Sequence, residues 1–142
     1  MLKFQKVCSE AVIPSKAHVE DAGYDLTAIR LIRTEGNVEY YDTGIVAAPP
    51  EGYYLELYAR SSLPKYNYMV ANSVGVIDNG YRGPLIIALV RIRSDGPQLQ
   101  LPQRIAQIIP KKTHHLEVQV CTDLIKQKTD RGTRGFGSSG NN

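Results

Sequence analysis

Residues 72–83 have the sequence NSVGVIDNGYRG, and Pro84 separates them from the apolar run LIIALV at residues 85–90. Two apolar segments around an Asn-Gly pair are typical of a β-hairpin, because Asn and Gly tolerate the positive φ angles of its tight turn. We therefore predict a hairpin whose turn is Asn79-Gly80. Residues 85–90 are apolar on both faces and are expected to form a central strand.

Asp78 stands where the first of these strands meets the turn. A carboxylate at such a point is held by the scaffold and is accessible to a ligand, as a general base should be. The alternative is that Asp78 only accepts hydrogen bonds from the backbone of its own turn, as many Asp residues do. Taken alone, this stretch does not decide between the two roles.

The remainder of the chain shows the alternation of half-buried strands, most clearly at residues 53–60 and 116–120. Residues 1–6 are expected to form an edge strand that begins the fold. Prolines fall between or at the ends of such runs and exclude long helices. A short helix after Arg60-Ser61-Ser62 is predicted to be limited by Pro64. The pattern as a whole predicts an all-β sandwich or barrel.

The composition is that of one globular domain of 142 residues, with 42% apolar and 22% charged residues. The net charge of +3 is too small to indicate duplex-DNA binding. No run reaches the roughly 18 apolar residues of a membrane span, and no signal-peptide pattern is present. We therefore expect neither a membrane nor a stable nucleic-acid partner. Cys8 and Cys121 do not predict a disulfide framework, and both are expected to be buried in a reducing, intracellular protein.

From about residue 127 the composition changes to Gly, Ser, Thr, Arg and Asn. This change predicts a β-domain over residues 1–126 and a mobile arm over residues 127–142. The segment RGTRGFGSSG at 131–140 mixes Arg, Gly and Phe, as single-stranded RNA-binding tails do. Those tails repeat the mixture many times, whereas here it occurs once. A glycine-rich backbone can instead wrap a triphosphate, and we favour a nucleotide-binding arm.

Five blocks resemble the motifs of the trimeric dUTPase family, in that family's order. They are AGYDL at 22–26, RSSL at 60–63, the stretch at 72–83, RIAQ at 104–107 and RGTRGFGSSG at 131–140. The resemblance implies a distorted jelly-roll or β-barrel fold that assembles as a homotrimer with shared active sites. It implies Mg²⁺-dependent hydrolysis of dUTP to dUMP and pyrophosphate by water attack on the α-phosphorus. Such an enzyme lowers dUTP and supplies dUMP in the cytoplasm or nucleus, whether it is cellular or virus-encoded.

The resemblance also implies roles for individual residues. Asp78 is the implied general base, and Asp25 is expected to hold magnesium through a water molecule. Tyr81 is expected to pack against the sugar, and Phe136 to cover the base. The remaining substrate contacts are expected from Arg60, Ser61, Ser62, Asn72, Gly75, Val76, Ile77, Gln107, Arg131, Gly137, Ser138 and Ser139.

Three details leave alternatives open. Ser62 stands where the family usually has Gly, and this serine is closer to the related dCTP deaminase family. Deamination in that family relies on a glutamate in the strand after the Asp-bearing segment, but residues 85–90 contain no carboxylate. Arg104 is open to a structural role as an ion-pair residue. A non-catalytic, dUTPase-like module that binds a protein partner is a further alternative, which the complete set of implied site residues disfavours.

Overall fold

The computed structural model describes residues 1–135 of the chain. This part contains ten β-strands and two short 3-10 helices. The strands are β1 (Lys3–Lys6), β2 (Tyr24–Ala28), β3 (Arg30–Glu35), β4 (Val38–Asp42), β5 (Ile45–Ala48), β6 (Tyr53–Ala59), β7 (Tyr68–Val70), β8 (Gly75–Ile77), β9 (Ile86–Arg91) and β10 (Gln103–Lys112). The all-β prediction is confirmed. Over residues 1–135, no helix has the length and apolar character needed to cross a bilayer.

The strands form three antiparallel sheets that share one core. Strand β1 pairs with β5, and the two larger sheets have the orders β2-β10-β6-β8 and β3-β4-β9-β7. Each sheet contributes buried side chains to a single cluster, including Leu26, Leu57, Ile108, Tyr41, Ile87, Leu89, Ile45 and Ala47. Burying one large apolar side chain contributes about 1.5–3 kcal/mol, so this shared cluster is the main stabilising feature of the fold.

Strand β6 shows how the sequence pattern produces this arrangement. Leu55 and Leu57 are buried, whereas Tyr54, Glu56 and Tyr58 on the opposite face are half-buried. This alternation confirms the strand predicted at residues 53–60. Strand β6 lies between β10 and β8. It therefore pairs with β8, the edge strand that precedes Asp78.

The predicted hairpin with its turn at Asn79-Gly80 is wrong. Strand β8 pairs with β6, whereas β9 pairs with β4 and β7, so the two apolar segments belong to different sheets. Neither Asn79 nor Gly80 has a positive φ. The chain instead makes a turn in which the Tyr81 N–H donates to the Asp78 carbonyl oxygen at 3.1 Å. The Asn79 side chain bonds to a distant turn, and this long-range contact overrides the local hairpin preference.

Two other local predictions are confirmed. The run at residues 85–90 corresponds to β9, which is an inner strand of its sheet. The short helix after Arg60-Ser61-Ser62 is a 3-10 helix over Leu63–Tyr66, with Pro64 in its first turn. Proline is tolerated there because its missing N–H would have no partner inside the helix.

Two predictions fail, one for a strand at residues 116–120 and one for the burial of the cysteines. No strand forms at residues 116–120, where Leu116, Val118 and Val120 are more than 80% exposed. An alternating segment becomes a strand only when a neighbouring strand completes its ladder, and residues 1–135 supply none here. Cys121 is exposed rather than buried, and Cys8 is only half-buried. Residues 127–135 are exposed, and the boundary of the arm stays a prediction.

A buried carboxylate joins β4, β7 and β9. Glu39 is 6% exposed, and it accepts hydrogen bonds from the hydroxyl groups of Tyr41 and Tyr68. Arg91 completes the cluster with contacts to Glu39 Oε1 at 2.8 Å from Nε and 2.7 Å from Nη2. Burial opposes the charge of Glu39, but these three donors outweigh it and lower the pKa of the carboxyl group. The charge is thus stabilised in the folded protein.

Candidate functional site

A cavity of about 200 Å³ lies beside β8. Six of the residues predicted to bind or process substrate line it, namely Asn72, Gly75, Val76, Ile77, Asp78 and Tyr81. Sequence reasoning missed Leu57, Leu85 and Ile86, which form the apolar part of the wall. These three belong to the hydrophobic patterns of β6 and β9, and only the packing of the two sheets brings them to the cavity. We call this space the β8 cavity.

Gly75 allows the wall of the β8 cavity to close. A Cβ atom at Gly75 would lie 3.1 Å from the Leu57 Cβ and 3.4 Å from the Asn72 Nδ2. The turn before it is tight, because Ser73 has φ of 61° and the Val74 N–H donates to the Asn72 carbonyl oxygen at 2.7 Å. The absence of a side chain at position 75 therefore lets the Asn72 amide approach the strand.

Strand β8 offers backbone groups to a ligand. Among residues 1–135 it is the last strand of its sheet and pairs with β6 alone. Part of its N–H and C=O groups therefore remains outside the ladder, next to the β8 cavity. Such groups are donors and acceptors in fixed positions, which suits the edge of a planar base.

Asp78 follows the last residue of β8 and is exposed. Within residues 1–135, no hydrogen bond or ion pair occupies its carboxylate; only its backbone carbonyl oxygen takes part in the turn. Asp78 also lines a second, larger cavity of about 630 Å³ on the side of Tyr53, Tyr54 and His115. The carboxylate is therefore accessible both to a ligand in the β8 cavity and to solvent.

The Tyr81 side chain folds back over Gly83, which lies two residues later in the sequence. Its hydroxyl group donates to the Pro84 carbonyl oxygen at 3.0 Å. A Cβ atom at Gly83 would lie 2.3 Å from the Tyr81 Oη, so no larger residue fits there without moving the ring. The ring is thereby held at the mouth of the β8 cavity, and 44% of Tyr81 remains exposed.

A third cavity, of about 250 Å³, brings together the residue predicted to hold magnesium and three of the predicted substrate contacts. Asp25, Arg60, Ser61 and Gln107 line it, and we call it the arginine cavity. Sequence reasoning missed Ala17, Asp21, Ala22 and Gly23, which complete the wall. The last two belong to the first of the five blocks, and Asp21 precedes that block directly, so their position in the sequence was the available signal.

Ion pairs with two arginines orient Asp25. The Arg60 Nε lies 2.8 Å from Asp25 Oδ1, and the Arg104 Nη1 lies 3.3 Å from Asp25 Oδ2. The structural role that we left open for Arg104 is therefore the one it has here. Only 15% of the Asp25 side chain is exposed, against 29% for Arg60 and 55% for Arg104. Both cations keep part of their surface available to an anion.

Gln107 lies across the floor of the arginine cavity. Its Nε2 donates to the Ala59 carbonyl oxygen at 3.0 Å. Its Oε1 lies where a Cβ atom of Gly23 would come within 2.3 Å, so Gly23 makes room for this amide. Residues far apart in the sequence thus combine to hold one side chain.

The arginine cavity suits a magnesium ion that arrives with a phosphate. Asp21 and Asp25 are the carboxylates in its wall. Within residues 1–135, no group of three or more His, Cys, Asp or Glu side chains forms a metal cage. Mg²⁺ needs only one or two carboxylates when waters and phosphate oxygens complete its shell. The donor set therefore fits a substrate-borne ion.

The other predicted residues lie apart from these cavities. Ser62 precedes the 3-10 helix and lines neither the β8 cavity nor the arginine cavity. Arg131 is exposed, and its Nε donates to the Arg134 carbonyl oxygen at 3.1 Å. The remaining four predicted contacts, Phe136, Gly137, Ser138 and Ser139, lie outside the described residues.

The β8 cavity and the arginine cavity have no lining residue in common. The first offers apolar walls, a strand edge and one carboxylate, whereas the second offers cations, a hydroxyl group and an amide. Within one chain, the groups suited to a base and those suited to phosphates are therefore separate.

Comparison with known proteins gives one consistent result. The dUTPase family model matches residues 9–140. A deoxyuridine 5'-triphosphate nucleotidohydrolase of Leptospira interrogans is 33% identical over 140 residues, which cover 96% of each chain. A protein of the same name from Helicobacter pylori is 34% identical over 141 residues, with 98% of this chain and 96% of the relative covered.

The fold has a close counterpart among solved structures. The dUTPase of Staphylococcus bacteriophage 80alpha, solved with dUPNHPP, superposes with a TM-score of 0.79 at 24% identity. The superposition covers 99% of this chain and 98% of the phage chain. The predicted dUTPase-like jelly-roll fold is therefore confirmed.

Proposed function

The chain belongs to the dUTPase family, and from this premise we propose that it hydrolyses dUTP to dUMP and pyrophosphate. One observation carries the proposal for this chain. The free edge of β8, the Asn72 amide and the Asp78 carboxylate meet at one cavity. A base-recognition surface and a general base are thereby adjacent, as cleavage of a nucleotide requires.

The β8 cavity supports recognition of deoxyuridine. Asn72 and the backbone groups of Gly75–Ile77 bind the Watson–Crick edge of uracil. Cytosine presents a donor where uracil presents an acceptor, so it would leave these fixed groups unpaired. Tyr81, held against Gly83, packs on the sugar and leaves no room for a 2'-hydroxyl group.

Asp78 supplies the base in the chemical step. Its carboxylate takes a proton from a water molecule as the oxygen of that water attacks the α-phosphorus. The bond from this phosphorus to the bridging oxygen breaks, and pyrophosphate leaves with the electron pair. In this step no other residue has to change its protonation state.

The arginine cavity supports binding of the triphosphate. Arg60 forms charge-assisted hydrogen bonds to phosphate oxygens, and Ser61 and Gln107 add neutral donors. Asp25, with Asp21 nearby, would hold Mg²⁺ through water. When bound, the ion supplies positive charge against the phosphates.

A homotrimer would join the two halves of the site. The β8 cavity and the arginine cavity are separate in one chain, which supports sites shared between neighbouring copies. In this proposal the arm over residues 127–142 contributes Phe136 to the base and Arg131, Gly137, Ser138 and Ser139 to the phosphates; of these, Arg131 lies within the described residues and the other four lie outside them. In the cell, this activity lowers dUTP and supplies dUMP for dTTP synthesis, and we place it inside the cell, for a cellular or a viral nucleotide pool.

Pyrophosphate release from dUTP, UTP, dTTP and dCTP tests the base, the sugar and the reaction together. We expect release from dUTP at a kcat/KM at least about a hundredfold above that from dCTP, whose base leaves the hydrogen-bonding groups of the site unpaired. UTP tests whether Tyr81 excludes the 2'-hydroxyl group, and dTTP, which has the same Watson–Crick edge as dUTP, tests whether the cavity excludes the 5-methyl group. Ammonia release from dCTP, or equal rates on all four nucleotides, would contradict the proposal. A mass from light scattering tests the trimer.

A further inference from the structure

The Asn79 side chain makes a long-range contact from the loop that carries Asp78. Its Nδ2 lies 2.9 Å from the Pro50 carbonyl oxygen, 2.9 Å from that of Tyr53 and 3.3 Å from that of Pro49. One amide group has two hydrogens, so the three carbonyl oxygens share them. The contact crosses about thirty residues of sequence, and it is half-buried.

The turn that receives Asn79 is itself well held. It precedes β6 directly, and the Tyr53 N–H donates to the Pro50 carbonyl oxygen at 3.1 Å. The Thr113 N–H donates to the Gly52 carbonyl oxygen at 2.8 Å, which ties the turn to the end of β10. Two prolines in sequence further restrict its backbone. The Asn79 side chain is therefore hydrogen-bonded to a turn whose backbone is itself restrained.

Asp78 consequently has a support on each side. On its N-terminal side, β8 pairs with β6, with Ile77 opposite Leu55. On its C-terminal side, Asn79 bonds to the turn that begins β6. Both supports lead to the same strand, and they close a ring around the Asp78 backbone. No side-chain partner within residues 1–135 holds the carboxylate itself, so its position depends on the Asp78 backbone, which this ring and the hydrogen bond from the Tyr81 N–H to the Asp78 carbonyl oxygen hold in place.

We propose that Asn79 is a positioning residue for the general base, and that the donor capacity of its amide holds Asp78 at the distance catalysis requires. This inference rests on the proposed function. Asn79 lines neither the β8 cavity nor the arginine cavity, and it borders the larger cavity that Asp78 also lines. Its amide hydrogens are taken up by the three carbonyl oxygens, so the proposed action of Asn79 is on the position of Asp78. A misplacement of about 1 Å can reduce a rate about a hundredfold, which sets the size of the expected effect.

The test compares two substitutions with a matched control. Asn79→Ala removes the amide, and Asn79→Asp keeps its shape but replaces the donors with a carboxylate facing three carbonyl oxygens. Asn37→Ala is the control, because Asn37 is exposed in the β3–β4 connection. We would measure kcat for dUTP, the Kd of the non-hydrolysable analogue dUpNHpp, and amide hydrogen exchange of residues 78–82.

For both Asn79 variants we expect kcat to fall about 10- to 100-fold while the Kd of the analogue changes less than about threefold. Amide exchange at residues 78–82 should be at least about threefold faster than in the unaltered protein. Asn37→Ala should change none of these. The inference is overturned by a kcat within twofold of the unaltered value in Asn79→Ala, by unchanged exchange, or by a Kd that weakens as much as kcat falls.

The two proposals fail in different ways. If the unaltered protein releases no pyrophosphate from dUTP, the proposed function fails, and the exchange measurement still decides whether Asn79 holds the loop. If the unaltered protein is active and Asn79→Ala is equally active, the proposed function stands and only the role of Asn79 is refuted. Melting temperatures within about 5 °C of the unaltered protein show that the variants are folded.

Discussion

Replacing Asp78 with Asn separates the chemistry of this carboxylate from its packing. The side chain is exposed and has no hydrogen-bond partner within residues 1–135, so the isosteric amide disturbs no contact. A general base contributes about 10²–10⁴-fold to a rate. At 1.36 kcal/mol for each factor of ten, this corresponds to about 3–5 kcal/mol of the activation barrier. We expect the kcat for dUTP of Asp78→Asn to fall by that factor.

Binding and stability should be nearly unchanged in the same variant. The walls of the β8 cavity remain intact, so the Kd of dUpNHpp should stay within about threefold. An exposed substitution without partners usually changes stability by less than about 0.5 kcal/mol, which thermal unfolding can check. Asp95→Asn is the matched control, because Asp95 is exposed and, within the described residues, pairs with Arg93 alone on the surface. The reasoning is refuted if Asp78→Asn keeps more than a tenth of the kcat.

Three further predictions concern the phosphates, the core and the arm. Asp25→Asn leaves Arg60 and Arg104 without their shared carboxylate. We expect kcat/KM for dUTP to fall about 10- to 100-fold, since such charged hydrogen bonds contribute about 1.5–3 kcal/mol. An unchanged dependence of activity on Mg²⁺ concentration would contradict the proposed role of Asp25 in holding the ion. The pKa of Glu39 is lowered from its ordinary value of 4.5 in the folded state. Its stabilising effect is therefore present above pH 4.5 and is lost as the pH falls through the lower folded value, so Glu39→Gln should flatten the acid branch of the melting-temperature profile. Removal of residues 131–142 should abolish turnover while the circular dichroism spectrum persists, and an active truncation would exclude the arm from catalysis.

The strands of the core were accessible from periodicity alone. The alternation at residues 53–60 and the apolar run at 85–90 predicted β6 and β9, because their burial follows directly from the two-residue repeat of a strand. Pro64 limited the short helix in the same local way. Each of these features depends on residues that are neighbours in the sequence.

Features that depend on distant partners could not be predicted. Asn79-Gly80 has the chemistry of a hairpin turn, but three carbonyl oxygens about thirty residues earlier bind the Asn79 side chain. The alternation at residues 116–120 predicts a strand, yet within residues 1–135 no strand pairs with it. In both cases the local pattern is sound, and the outcome depends on a partner that the pattern does not contain.

In the candidate site, too, the groups that are neighbours in the sequence were predictable and those brought together from distant strands were not. The block at residues 72–83 identified most of the β8 cavity, because a continuous stretch of chain forms one wall. The arginine cavity combines Asp25 from β2, Arg60 after β6 and Gln107 from β10. Family resemblance pointed to these residues, but their pairing and the role of Arg104 came from the arrangement of three strands.

The sequence by itself determined that this protein is built of strands, where several of them run, and which short blocks carry polar chemistry. Those properties follow from side-chain size, polarity and backbone freedom, which act between near neighbours. Only the tertiary structure decided which strands pair, that the chain crosses between sheets after Asp78, and that two separate cavities receive the site residues. Hydrogen bonding and packing between remote segments make those choices, because each strand edge has several possible partners and only the common core selects among them.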